Sequence, residues 1–213
     1  MAKKAILFDL DGTLTDSGEG IMKCAQLGLE HFGIHVEDYH ELRDFVGPPL
    51  DMMFRRHGVP ADKTDEAIRV YRSRYLTVGK FENFPYPGIP EMLQKLKDLG
   101  YQLYVATSKP EPTSVEIIEH FGLDKYFDRV CGATFDGSRS SKADVIAYLL
   151  AQVDSISDTI MVGDTTYDVI GAAKHGIDTI GVSWGYGEAA DMEKAGAKAI
   201  AYTMEEMVEL LNR

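Results

Sequence analysis

Lys4-Ala5-Ile6-Leu7-Phe8-Asp9-Leu10-Asp11-Gly12-Thr13-Leu14-Thr15-Asp16 is the stretch on which the reading of this chain turns. Its first residues form an apolar run without polar alternation, as expected of a strand buried on both faces in a parallel sheet. The run stops abruptly at Asp9, so the strand delivers carboxylates and a turn glycine at its end. In open α/β sheets ligands sit beyond the carboxyl ends of strands, which makes Asp9 and its neighbours the place to look for chemistry.

Downstream, the texture between Asp16 and Lys80 is helical: Ile21, Ala25, Leu29 and Phe32 recur at helical spacing, and Asp65 to Leu76 continues the pattern with no strong strand signal. After Asn83-Phe84-Pro85-Tyr86-Pro87-Gly88 helices and strands alternate. The expected elements are a helix from Ile89 to Leu99, a strand from Tyr101 to Ala106, a helix from Glu111 to Phe121 and a short strand near Val130. They continue with a helix from Ala143 to Gln152, a strand from Thr159 to Val162, a helix from Asp168 to His175 and a strand from Thr179 to Val182. Such alternation predicts a parallel sheet with helices on both faces. The economical division is an α/β core from residues 1–15 and 83–213, interrupted by a helical insert over 16–82.

Composition narrows the classes of function. The 213 residues are 45% hydrophobic and carry 22 Lys plus Arg against 34 Asp plus Glu, for a net charge of −12. An acidic surface opposes broad binding to nucleic acid or to anionic membranes. Cys24 and Cys131 stand far apart with no CxxC or His/Cys cluster, which predicts neither a disulfide framework nor a zinc site. At the start, Met1-Ala2-Lys3-Lys4 leads to an apolar run cut short by Asp9, so no secretory segment is expected, and no apolar stretch approaches the roughly 18 residues that cross a bilayer. The expectation is a cytoplasmic protein.

Two strand ends concentrate carboxylates. Asp9 and Asp11 follow the first, and Gly163-Asp164-Thr165-Thr166-Tyr167-Asp168 follows Thr159 to Val162. Four carboxylates drawn to one sheet edge repel one another unless a cation compensates them, and hard oxygen donors favour Mg²⁺ over zinc or copper. A calcium loop starting at Asp9 fails on register, with Leu14 where glycine belongs and Gly20 where glutamate belongs. After the strand ending at Ala106, Thr107-Ser108-Lys109 offers a hydroxyl and backbone amides for a phosphate, or alternatively an N-cap near Pro110. Lys142, opening a helix, is a candidate for bringing positive charge to a phosphoryl group, with Lys109 a rival on the same logic. Gly185-Tyr186-Gly187-Glu188-Ala189-Ala190 fits a dinucleotide-loop spacing, but too little chain follows it, and a flexible loop is expected instead.

Taken together, Asp9-Leu-Asp-Gly-Thr-Leu-Thr-Asp-Ser17, Val105-Ala-Thr-Ser108, Lys142 and Gly163-Asp-Thr-Thr-Tyr-Asp168 resemble the four ordered motifs of haloacid dehalogenase-like phosphatases. The resemblance spans essentially the whole chain and implies a Rossmann-like doubly wound core with an inserted α-helical cap. It implies Asp9 as nucleophile and Asp11 as acid and base, with Gly12, Thr107, Ser108 and Lys142 binding the phosphoryl group. Mg²⁺ is implied at Asp9, the backbone carbonyl of Asp11, and Asp164, with Asp168 a further ligand or an anchor behind the others. Asp11 sets the chain apart from the dehalogenase branch, which lacks that second Asp.

Within the family, Val46-Gly-Pro-Pro-Leu50 and Gly181-Val-Ser-Trp-Gly-Tyr-Gly187 look most like the phosphoglycolate phosphatase and nucleotidase-like subgroup. The implied partner is a small phosphorylated metabolite, with Arg43, Gly47, Arg72 and Arg74 of the cap as candidate contacts to its remote part. The alternatives are 5′-nucleotidase, pyrophosphatase or phosphotyrosine phosphatase activity, phosphoglucomutase-like transfer, or a phosphate-ligand binding protein with little catalysis.

Overall fold

The computed structural model describes residues 4–153 and 157–212. The reading of Met1-Ala2-Lys3 lies outside the described residues. Two compact units are present: one holds the described residues up to Thr15 together with those from Pro85 onward, the other Asp16–Phe84.

The larger unit begins with β1 (Lys4–Phe8). The smaller follows, built on α1 (Gly18–Glu30), α2 (Leu50–Arg56) and α3 (Thr64–Tyr75). Its apolar centre joins α2 to α3 through rings: Phe54, which Phe45 meets edge-on at 5.2 Å, meets Tyr71 edge-on at 6.5 Å. A glycine at position 28 lets α1 approach Phe54 closely.

The larger unit resumes with α4 (Ile89–Asp98), β2 (Gln102–Pro110), α5 (Glu111–His120), β3 (Arg129–Ala133) and α6 (Lys142–Leu150). It ends with β4 (Ser157–Gly163), α7 (Thr166–Ala173), β5 (Asp178–Val182), α8 (Ala189–Ala195), β6 (Ala199–Ala201) and α9 (Met204–Leu211). The six strands lie in the order β3-β2-β1-β4-β5-β6 and every pair is parallel. This is the doubly wound, Rossmann-like α/β fold expected, with the order reversing beside β1.

Strand β1 is buried on both faces, which explains its unbroken apolar run. Ile6 and Phe8 join the cluster built with Leu93 of α4, Ile117 of α5 and Met207 of α9. Ala5 and Leu7 face the other way, among Ile146 of α6 and Ala172 of α7. Each such large side chain contributes about 1.5–3 kcal/mol through burial. The register sets Phe8 beside Val105 and Val162, so the next residues of β1, β2 and β4 emerge together at one sheet edge.

Strand β2 is longer than its apolar run. It continues through Thr107-Ser108-Lys109 to Pro110, where its register with β3 slips between Ala106 and Pro110. Gly132 sits opposite the slip, where a Cβ would meet the Lys109 carbonyl oxygen at 2.5 Å. Residues 185–188, within the stretch expected as a loop, carry no helix or strand, whereas Ala189 and Ala190 open α8, and β6 and α9 follow; Gly196, at φ 102°, ends α8 in the left-handed region.

A candidate active site at the carboxyl edge of the sheet

Asp9, one residue past β1, is fixed by its backbone: its N–H donates to the Val162 carbonyl at 2.9 Å. Its carboxylate Oδ1 accepts from Leu10 N–H at 2.8 Å and lies 2.7 Å from Lys142 Nζ. The Thr107 side chain stands near the same carboxylate and favours its charged form. Beyond Leu10 the chain turns tightly, with Thr13, Leu14 and Thr15 all donating to the Leu10 carbonyl. Gly12 makes this turn possible at φ 82°, and a Cβ there would collide with the Asp164 carboxylate.

Asp164 follows β4 and is completely buried. Its Oδ1 accepts from the Thr13 hydroxyl at 3.1 Å and its Oδ2 from the Tyr186 backbone N–H at 2.8 Å. Asp168, the third residue of α7, turns back on the same edge. Its Oδ1 stands 2.8 Å from Lys142 Nζ, and its Oδ2 accepts from both the N–H and the hydroxyl of Thr165, each at 3.0 Å. Asp9, Asp164 and Asp168 each offer an oxygen within 4.8 Å of the others.

Lys142 is the first residue of α6, a helix whose start is fixed by a reciprocal pair: Asp144 N–H donates to Ser141 Oγ at 3.2 Å and Ser141 N–H to Asp144 Oδ2 at 3.1 Å. The side chain is only 3% exposed, and besides its two carboxylates Nζ donates to the Ala106 carbonyl at 2.9 Å. Burial works against its charge, but Asp168 and Asp9 outweigh that and hold the ammonium above the usual lysine range.

The carboxylates respond in the opposite sense. Burial raises Asp9, and the nearby charge of Asp168 adds to that, while Lys142 and Thr107 pull it partly back. Asp164 is raised well above an ordinary aspartate, first by burial and then by the charges of Asp168 and Asp9. One ammonium against three buried carboxylates leaves the cluster short of positive charge.

Asp11 is not among the three clustered carboxylates. It sits in the turn after Asp9, and its Oδ1 is 2.5 Å from Nζ of Lys109. Lys142 and Lys109, rivals on sequence grounds, therefore go to different aspartates. Thr107 is buried and Ser108 half-buried in the slip of β2; the N-cap alternative fails, because α5 starts after Pro110 with no side-chain cap.

Several features of the site carry little sequence signal. The Gly185-Tyr186-Gly187 segment, expected to be flexible, is held against Asp164 by the Tyr186 N–H. A Cβ on Gly185 or Gly187 would clash with Asp164, so the paired glycines were the available clue. Trp184 holds the same loop from the other side, its Nε1 donating to the Thr13 carbonyl at 3.1 Å. In the smaller unit, Arg74 is committed elsewhere than the sequence reading suggested: it forks onto Glu82 at 2.6 and 2.8 Å and reaches Cys24 Sγ at 3.3 Å. Both cysteines are free. Among the described residues no helix is long and apolar enough to cross a membrane.

Comparison with known proteins places the chain in a family. Residues 6–182 match the model of haloacid dehalogenase-like hydrolases. A protein named tyrosine-protein kinase PtkA from Mycobacterium tuberculosis is 42% identical over 209 residues, covering 97% of this chain and 72% of that protein. A 5′-nucleotidase from Pseudomonas aeruginosa is 41% identical over 184 residues, covering 85% and 83%, and a phosphoglycolate phosphatase from Aquifex aeolicus is 32% identical over 187 residues, covering 86% of each. The crystal structure of a predicted phosphatase from Clostridium acetobutylicum superposes with a TM-score of 0.94 at 44% identity, each chain covered completely. The chain belongs to the haloacid dehalogenase-like hydrolase family, in the branch that holds its phosphatases.

Proposed function

We propose that the protein is a Mg²⁺-dependent phosphomonoester hydrolase that works through an aspartyl phosphate on Asp9, with a small phosphorylated metabolite as substrate. The observation that carries this reading is the buried cluster of Asp9, Asp164 and Asp168, three carboxylates within 4.8 Å of one another around a single lysine. The donor set fits a hard divalent cation: all oxygen, buried, and in excess of the one positive charge provided. Asp9, Asp164 and the backbone carbonyl of Asp11 are the groups that would hold it. Asp168, which completes the cluster while meeting Lys142 and Thr165, is a further ligand or an anchor behind the others. When bound, the cation supplies positive charge against the phosphoryl oxygens and keeps the carboxylates ionised.

The protein's own groups account for the rest. A carboxylate oxygen of Asp9 attacks phosphorus while the bond to the leaving oxygen breaks, and protonated Asp11 gives its proton to that oxygen. Water then attacks the phosphorus of the aspartyl phosphate, its proton passes to Asp11, and the bond to Asp9 breaks to release phosphate. Lys142, Thr107, Ser108 and the turn at Gly12 supply cations and donors where charge accumulates, and such preorganised groups contribute most of the catalysis in phosphoryl transfer.

Among substrates, phosphoglycolate is favoured by the motif resemblance, with nucleoside monophosphates the main rival through the 41% identical 5′-nucleotidase. A second reading, transfer of the phosphoryl group to tyrosine, draws on the similarity to PtkA. The site accommodates it chemically, because an aspartyl phosphate passes to whichever hydroxyl reaches it. A cytoplasmic location accompanies this reading.

The test is phosphate release from phosphoglycolate, nucleoside monophosphates, sugar phosphates, pyrophosphate and phosphotyrosine, with Mg²⁺ or with EDTA, using Asp9→Asn as control. Mg²⁺-dependent release that vanishes in Asp9→Asn supports the proposal. Silence across the panel, with folded protein, favours a binding protein, and phosphate passing from a labelled panel donor to an added tyrosine peptide, in place of release to water, favours transfer.

A further inference from the structure

The two lysines at the site divide the two catalytic aspartates between them. Lys142 takes Asp9 and Asp168, at 2.7 and 2.8 Å, and so belongs to the phosphoryl end. Lys109 takes Asp11, with 2.5 Å between Nζ and Oδ1, and both side chains are largely enclosed, 5% and 14% exposed. If Asp11 protonates the leaving oxygen, as the proposed mechanism requires, the ammonium that touches Asp11 stands at the leaving-group end. Nothing in the mechanism so far uses it.

The backbone keeps it there. Lys109 lies in the slip of β2, its N–H donating to Thr107 Oγ1 at 3.2 Å. Opposite, Gly132 permits the close approach of the Lys109 carbonyl. The next turn is clamped to β3: Glu111 Oε2 accepts from Gly132 N–H at 3.1 Å and from Arg139 Nη2 at 2.9 Å, while Arg139 Nε donates to the Gly132 carbonyl at 2.7 Å. A cation anchored this firmly beside the acid is placed to read charge on whatever leaves.

We infer that Lys109 is a specificity residue that selects substrates whose leaving group carries its own negative charge close to the scissile oxygen, such as a carboxylate one carbon away. On binding, that anion replaces Asp11 as the partner of the ammonium, which frees Asp11 to face the leaving oxygen. An alcohol of similar size without the charge leaves Lys109 on Asp11. The inference rests on the phosphatase reading above and deepens it.

The test compares kcat/KM for 2-phosphoglycolate with that for 2-hydroxyethyl phosphate, which replaces the carboxylate with a neutral group, in the wild type, Lys109→Gln and Lys109→Arg. A charge-assisted contact predicts a wild-type preference of about ten- to a hundredfold for the anionic substrate. That ratio should collapse toward one in Lys109→Gln and return substantially in Lys109→Arg, with circular dichroism confirming folded protein. A purely structural role for Lys109 would lower both substrates together and leave the ratio intact, which overturns the inference, as would a wild type that does not discriminate. Neither result touches the phosphatase reading, which fails separately if Asp9→Asn retains full turnover.

Discussion

Lys142 Nζ lies 2.7 Å from Asp9 Oδ1, which makes one buried ammonium the direct neighbour of the proposed nucleophile. The same atom holds Asp168 and the Ala106 carbonyl, so α6, α7, β1 and β2 converge on a single cation. Removing it leaves buried carboxylates facing each other without compensation. Lys142→Met should therefore destabilise the protein by about 3–5 kcal/mol, as expected when one partner of a buried pair is lost. It should also lower kcat by about 10²–10³ through loss of charge stabilisation. Urea unfolding in EDTA and phosphate-release kinetics check the two parts.

The electrostatics of Asp9 and Asp164 set a dependence on pH. Both are raised by burial, so in this range the folded state holds protons that the unfolded chain has released. The contribution of such groups to stability is full below the unfolded carboxylate range, near 4, and is lost as pH rises toward and through their folded pKa values. In EDTA, Asp164→Asn should flatten the fall in stability with rising pH, while Mg²⁺ added to the wild type should raise the melting temperature more at pH 8 than at pH 5. Melting curves across pH, with and without Mg²⁺, provide the check; a Mg²⁺ effect equal at both pH values would contradict it.

The loop at Tyr186 supplies a third test. Its backbone N–H holds Asp164 Oδ2, and Gly185 leaves the space for that approach. Gly185→Ala places a Cβ against Asp164, so the carboxylate must shift. Disturbing a group that orients a metal ligand typically costs about 10–100-fold in metal affinity or activity, and the Mg²⁺ concentration for half-maximal activity should rise by that order. Titration of activity with Mg²⁺ measures it. Unchanged Mg²⁺ dependence in a folded Gly185→Ala protein would show that the loop does not orient Asp164.

These sites differ in how plainly the sequence displays them. The strand Lys4–Phe8 is legible because burial on both faces demands an unbroken apolar run, and Asp9 is legible because the run ends on it. The alternation that follows reveals the parallel sheet for the same reason. The three-residue strand Ala199–Ala201 is too short to show a period. Tyr186 acts through a backbone N–H, which every residue but proline possesses, so its side chain gives no signal. The division of Lys109 and Lys142 between Asp11 and Asp9 is a matter of tertiary reach across 98 and 133 positions of sequence, beyond any local pattern. Arg74 shows the converse: a charged residue in the insert suggests a substrate contact, yet its fork is filled by Glu82.

Phosphate that passes through Asp9 leaves a covalent intermediate there, which chemical trapping detects. Protein turning over phosphoglycolate with Mg²⁺, or the best substrate from the panel, is quenched in acid and reduced with borohydride, which converts an aspartyl phosphate to homoserine. Peptide mass spectrometry should then find homoserine at position 9, only when substrate was present, and none in Asp9→Asn. Unmodified Asp9 under steady turnover in which breakdown of the intermediate is rate-limiting, or undiminished turnover in Asp9→Asn, would contradict the account.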